Sequence, residues 1–318
     1  MAEAARLIDT PMQAGVVERW IEAPDGWRLS VLDVPAERPR AIALVGHAMM
    51  VDRRTVYRSD RPSLATSLAA AGIRTLVPDL RGHGASGPGV AEGGRWSYEQ
   101  LVADTKLYVE LATSLRPDLP LFVVGNSLFG HTSLAYVGQH PGTRVAGFVA
   151  FAVNIWTRRF SADPLRGAAK QVLGKLSGAV VDRLGYLPVT RLKLGTQDEP
   201  GAYWACMSRW VPRDRWDSDD GVDYGELLGQ VARPFLHIVS DGDRLLCHPD
   251  DALLFSQALA PYRQIVRLGG RCEQPSLRGI TPAPGHVEMV SHPRCEPLWR
   301  HAASWMLDQC PAAGDQWP

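Results

Sequence analysis

Leu121-Phe122-Val123-Val124-Gly125-Asn126-Ser127-Leu128-Phe129-Gly130 is the stretch on which the reading of this chain turns. Four consecutive apolar residues read as a buried strand, and the Gly-Asn-Ser that follows reads as a sharp turn into a helix with Ser127 at its apex. Such an elbow lifts a hydroxyl clear of the sheet. It also aims the first NH groups of the helix at an oxygen that becomes negative during acyl transfer. Short G-x-S runs recur by chance in a chain with 30 glycines, and Phe129 stands where the pattern G-x-S-x-G has its second glycine. Alone, Ser127 would serve equally as a helix N-cap, so its meaning depends on the rest of the chain.

Upstream, Val16 to Glu22 and Trp27 to Val34 alternate about Asp25-Gly26 like an antiparallel hairpin. Strand-like runs follow at Ala41 to Val45, Arg74 to Val77, Leu121 to Val124 and Val145 to Phe151. Helical patterns lie between them at Pro62 to Ala71 and Ser97 to Leu115. This alternation predicts an α/β protein with a mostly parallel central sheet flanked by helices. The pattern stops near Ala152, where charged and aromatic residues mix with Pro and Gly and no strand is evident. It resumes after Arg233, with strands at Phe235 to Val239 and Gln264 to Leu268, a helix from Asp250 to Leu259 and a closing helix from Arg294 to Leu307. The expected organisation is a core formed by residues 1–152 and 233–318 with a cap, 153–232, inserted after the sixth strand. Pro311 to Pro318 reads as a frayed tail.

Composition narrows the function classes. Lys plus Arg and Asp plus Glu are 34 each, so nothing draws the protein as a whole to nucleic acid or an anionic surface, although a local basic patch stays open. No apolar stretch is long enough to insert in a membrane, and Met1 to Arg6 does not resemble a secretory signal. The five cysteines are scattered and without C-x-x-C spacing, which fits a reduced, cytoplasmic setting. No metal site is expected, because neither a His/Cys cluster nor an H-E-x-x-H helix is present.

A serine hydroxyl needs a base, and the base needs an acid to hold its tautomer. Asp243, in Ser240-Asp241-Gly242-Asp243, follows a strand end where a loop would reach the carboxyl edge of the sheet. His286, in Pro284-Gly285-His286-Val287-Glu288-Met289, lies in a loop before the last helix. The order Ser, Asp, His is one of the known orders for this triad. Asp241 is the rival acid, with a turn-forming role before Gly242 as its other reading. His47, His83 and His131 read as groups that hold loops. Asp52-Arg53-Arg54 reads either as a receptor for a substrate anion or as a solvated charged loop.

With Val45-Gly46-His47-Ala48-Met49-Met50, Asp79-Leu80-Arg81-Gly82-His83-Gly84-Ala85-Ser86-Gly87, the Ser127 elbow, and Asp243 with His286, the chain resembles the α/β-hydrolase superfamily over nearly its whole length. The Asp79 to Gly87 segment is structural in that family. Leu184 to Pro188, Leu194-Gly195 and Trp204 to Trp210 resemble a bacterial branch of predicted hydrolases. The resemblance implies the α/β-hydrolase fold, with Ser127 as nucleophile, His286 as base and Asp243 as acid. It further implies that Leu128 and Met49 supply the oxyanion NH groups, and it requires no cofactor. Met50, Phe129, Trp156, Tyr203 and Trp204 are the residues expected to contact substrate, since aromatic rings on the inner face of a cap share a pocket with the core. The expected activity is hydrolysis of a carboxylic ester, thioester or amide of an apolar small molecule. Acyl transfer and ligand binding without catalysis are the alternatives. No nucleic-acid partner is expected, and the sequence leaves the oligomeric state open.

Overall fold

The computed structural model describes residues 10–11, 15–259 and 263–311. Met1 to Arg6, and the expected tail beyond Pro311, lie outside these. β1 (Thr10–Pro11), β2 (Val17–Glu22) and β3 (Arg28–Val34) open the chain and pair antiparallel. Then come β4 (Ala41–Gly46), α1 (Leu64–Ala70), β5 (Ile73–Pro78), α2 (Tyr98–Leu115), β6 (Leu121–Asn126), α3 (Leu128–Gln139) and β7 (Val145–Phe151). β4, β6 and β7 are buried at every position, as strands covered on both faces must be. α2 starts where Ser97 and Gln100 form a capping box, which satisfies two otherwise orphaned NH groups.

Between β7 and the next sheet strand the chain leaves the sheet. This insertion holds α4 (Pro164–Leu184), the antiparallel pair β8 (Tyr186–Leu187) and β9 (Glu199–Pro200), α5 (Gly201–Arg213) and α6 (Tyr224–Leu227). Those short strands and the 21-residue α4 were not evident in the sequence. The sheet is completed by β10 (Phe235–Ser240), α7 (Pro249–Gln257) and β11 (Arg263–Leu268), and the described chain closes with α8 (Glu288–Ser291) and α9 (Glu296–Asp308).

Among the described residues the main sheet runs β1-β2-β3-β5-β4-β6-β7-β10-β11. From β5 onward every neighbouring pair is parallel. One apolar core gathers α2, α3, Phe255 of α7 and the aromatic residues of the insertion on one face, and a second gathers α1 and α9 on the other. The central position of β6 puts its carboxyl end, and therefore Ser127, at the middle of the sheet edge.

Candidate active site

Ser127 sits between β6 and α3 with φ 48° and ψ −109°, a left-handed φ that a non-glycine residue holds only under constraint. Its NH donates to the Phe151 carbonyl at 3.0 Å and its carbonyl accepts from the His131 NH at 3.1 Å. The close fit of helix to strand requires glycine on both sides, because a Cβ at Gly125 would sit 2.5 Å from the Cα of Gly130. Leu128 is the first residue of α3, so its NH has no acceptor within the helix.

The missing second glycine of the elbow pattern is compensated across the sheet. The Phe129 ring lies directly over Gly46, at the end of β4, where any Cβ would overlap it. Phe129 is fully buried and packs near Tyr108, with ring centroids 6.2 Å apart. Its side chain therefore belongs to the core, which corrects its expected place against substrate.

Asp243 follows β10, and its carboxylate, not that of Asp241, meets His286. Nδ1 of His286 lies 2.5 Å from Oδ2 of Asp243, and Oδ1 accepts from the Cys247 NH at 3.0 Å. Burial pushes the Asp243 carboxyl up, but His286 and the backbone NH groups outweigh it and hold the group below its ordinary value. Gly242 explains the proximity of the two loops: a Cβ there would strike the carbonyls of Ala283 and Pro284, three and two residues before His286. Asp241 is engaged elsewhere, pairing with Arg267 of β11 at 2.7 Å. The His286 loop also reaches the elbow, since the Asn126 side-chain amide donates to the His286 carbonyl at 3.4 Å. Thus Ser127, Asp243 and His286 are brought to one sheet edge.

The loop after β4 carries Met49 and Met50, both half-buried. Met50 has φ 64° and is held by the insertion. Its NH donates to Oε1 of Glu199 at 2.7 Å, and its carbonyl accepts from Thr196 at 2.8 Å and Gln197 at 3.0 Å. The same Glu199 oxygen meets Nε2 of His83 at 3.1 Å. Both side chains are fully buried. Burial works against a charge on His83, yet the Glu199 carboxylate leaves its pKa raised. Sequence reasoning missed Glu199: one acid 149 residues from Met50 gives no local signal. Its Oε2 and the hydroxyl of Tyr203, one turn further on, are buried without a hydrogen-bond partner among the described residues.

His47 bonds the Ala48 carbonyl at 2.7 Å and accepts the Leu80 NH at 3.0 Å. His131 bonds the Tyr98 hydroxyl at 2.8 Å. Burial pulls both down to about 3, aided by His83 for the first and His286 for the second, so they are neutral at ordinary pH. In the Asp52-Arg53-Arg54 run Arg54 is largely exposed, as a solvated loop would have it, whereas Asp52 and Arg53 are not. Arg53 is drawn inward to Glu18 at 2.8 Å and Asp79 at 3.2 Å, and Arg54 closes on Asp52 at 2.7 Å. Asp79 in turn accepts the NH groups of Arg53 and Ala85, tying the D-x-R-G-x-G-x-S segment to the loop after β4.

Of the aromatic residues expected to face substrate, Tyr203 is fully buried with Trp210 and Trp216. Trp156 and Trp204 are half-buried. The Trp156 indole NH donates to Leu246 in the acid loop at 2.9 Å, and that of Trp204 donates to Ser177 at 2.9 Å. Glu99, Cys206 and Asp219 come within ligating reach of one another. Burial, foremost, pushes the Cys206 thiol up to about 11, which leaves it protonated at ordinary pH.

The fold, with its β5-β4-β6-β7-β10-β11 parallel run, matches solved structures across nearly all of the chain. An esterase from Thermogutta terrifontis has TM-score 0.55 and 16% identity, covering 96% of this chain and 100% of the other. Est1E from Butyrivibrio proteoclasticus, with ferulic acid bound, has TM-score 0.59 and 14% identity, covering 91% and 98%. The fold is therefore that of the α/β-hydrolases. Residues 46–199, just under half of the chain, match a family model described as serine aminopeptidase, S33. A monoacylglycerol lipase from Mycolicibacterium smegmatis is 30% identical over 162 residues, 49% of this chain and 53% of the lipase. The chain thus spans about half the length of that curated relative. Among the described residues no helix is long and apolar enough to cross a membrane.

Proposed function

We propose that this α/β-hydrolase cleaves a carboxylic ester of an apolar small molecule through an acyl-enzyme. The observation that carries the reading is the 2.5 Å contact between His286 and Asp243 at the sheet edge where Ser127 occupies a left-handed turn. A histidine whose Nδ1 is fixed by a buried carboxylate presents Nε2 to a hydroxyl as a base. Ser127 Oγ attacks the ester carbonyl while His286 takes its proton, and Asp243 stabilises the imidazolium that results. The oxyanion is received by the NH groups of Leu128, at the start of α3, and Met49. His286 then returns the proton to the departing alkoxide. Water, deprotonated by the same histidine, attacks the acyl-serine, and the carboxylic acid leaves with Ser127 restored.

The insertion, acting as a cap, supplies the apolar side of the site through Trp156 and Trp204, beside Met50 of the loop after β4. Similarity to a lipase and to esterases supports an ester ahead of an amide. The serine aminopeptidase description keeps amides in the test panel. Turnover of p-nitrophenyl esters of graded chain length, set beside a thioester and an anilide, tests the reading. Ser127→Ala is expected to lose on the order of a million-fold in kcat. Ester turnover retained by a folded Ser127→Ala protein would contradict it.

A further inference from the structure

A helix on the surface of a globular protein normally turns its apolar stripe inward and its charges outward. α4 does the reverse. Leu165, Val172, Leu173 and Leu176 are 81%, 56%, 40% and 64% exposed, and with Ala169 they follow i, i+4, i+7, i+8, i+11 along one face. Lys170 meanwhile points inward, nearly fully buried, and binds Asp251 of α7 at 2.7 Å beside Arg166. These two ion pairs fix the rotation of the helix, so the apolar face is held outward.

The face is continuous with its surroundings. Among the described residues, the exposed large apolar side chains are confined to α4, the loop that follows it with Leu192 and Leu194, and Leu245 and Leu246 of the acid loop. The acid loop meets the helix through Trp156, which bonds Leu246 and lies 5.5 Å beneath the Lys170 ammonium. A grouped apolar surface of this kind marks an interaction site.

Charge selects the occupant. Residues 164–195 contain six basic residues and a single acid, Asp182, in a chain whose charges balance overall. Arg166 and Lys170 are spent on Asp251, which leaves Lys175, Arg183, Arg191 and Lys193 exposed around the leucines. A two-fold contact with a second copy would set this basic patch against itself. Exposed leucines ringed by lysine and arginine are instead what an interfacial helix presents to lipid, with the apolar face among the acyl chains and the cations at anionic headgroups.

We propose that the outward face of α4, with Leu192, Leu194 and the Leu245-Leu246 tip, docks this protein on the surface of an anionic phospholipid bilayer. Docking is peripheral, with no segment crossing the membrane. It places the insertion, and with it the approach to Ser127, against the layer in which apolar esters dissolve.

Co-sedimentation with vesicles tests this without relying on catalysis. Wild type is expected to sediment with equimolar phosphatidylglycerol and phosphatidylcholine, and far less with phosphatidylcholine alone. Leu165→Ser/Leu176→Ser is expected to lose about tenfold or more in partitioning. Lys175→Glu/Lys193→Glu is expected to lose the preference for anionic vesicles. All four residues are exposed, so circular dichroism and turnover of a short soluble ester should match wild type. Ser127→Ala should bind vesicles as wild type does, which separates failure of docking from failure of the proposed activity. Wild type remaining in the supernatant with both vesicles, or unchanged binding by the leucine variant, would overturn the proposal. So would a dimer in sedimentation velocity that the leucine variant splits, since the face would then join two copies of this chain.

Discussion

Replacing Gly46 by alanine places a methyl group where the Phe129 ring already lies. The ring is fully buried among core side chains, so it has no open space into which to move. Inserting a carbon into a filled core costs about 1–3 kcal/mol. Gly46 pairs with Gly125 at the carboxyl ends of β4 and β6. The strain therefore falls on the strands that launch the Met49 loop and the Ser127 elbow. Removing the ring instead, by Phe129→Ala, leaves a cavity and costs about 3–5 kcal/mol. In the double variant the new methyl enters vacated space. The double variant should then lose less than the sum of the two single losses, with a coupling of at least about 1 kcal/mol in the direction of mutual relief. Urea unfolding followed by tryptophan fluorescence measures all three variants, with the midpoint reporting stability when the slope is unchanged. Gly46→Ala as stable as wild type, or variants additive within about 0.5 kcal/mol, would refute the claim that Gly46 supplies the room that the elbow pattern lacks.

Other expectations follow from the site. Asp243→Asn should lower kcat by about 10⁴-fold, whereas Asp241→Asn should leave kcat unchanged and cost at most about 1 kcal/mol for its partly exposed Arg267 pair; steady-state kinetics on both decide which acid serves His286. Glu199→Ala strands the Met50 NH and the buried His83, so it should destabilise by about 3–5 kcal/mol and lower kcat. Glu199→Gln, which restores an acceptor for Met50, should recover part of both, and an unchanged kcat in Glu199→Ala would show that the Met50 loop needs no such anchor. His47, His131 and His237 are each held at about 3, in the first place by burial. The unfolded chain, with histidines near 6.5, therefore binds more protons than the folded one between these values. Stability should fall as pH drops from about 6.5 toward 3, by up to about 1.4 kcal/mol per pH unit for each histidine. His83, raised by Glu199, acts oppositely: its contribution is present below the unfolded value and is lost as pH rises through the folded one. Urea midpoints at pH 5 and pH 7.5 test the balance, which should favour pH 7.5 because the lowered histidines, joined by His248 and His301, outnumber His83.

The sheet was legible because its strands are short apolar runs, such as Ala41 to Val45 and Val145 to Phe151, punctuated by glycine and capped helices. The Asp–His contact was legible because both residues lie in loops that chain order alone assigns to one sheet edge. α4 was not, for a physical reason: its leucines face outward, its buried face carries Lys170, and Gly167, Gly174 and Gly178 lower its helix propensity. Glu199 and the packing of Phe129 on Gly46 were hidden because each depends on a partner from a distant segment of the chain. Arg53 looked solvated beside Arg54, yet only the fold brings Glu18 and Asp79 to it.

The central claim is that Ser127 is an activated nucleophile. Intact-mass measurement after exposure to a fluorophosphonate, on wild type, Ser127→Ala and His286→Ala, tests it most directly. One adduct, mapped to Ser127 in the wild type and absent from both variants, is the predicted result. A folded wild type that takes up no probe, or a Ser127→Ala protein that still does, would contradict it.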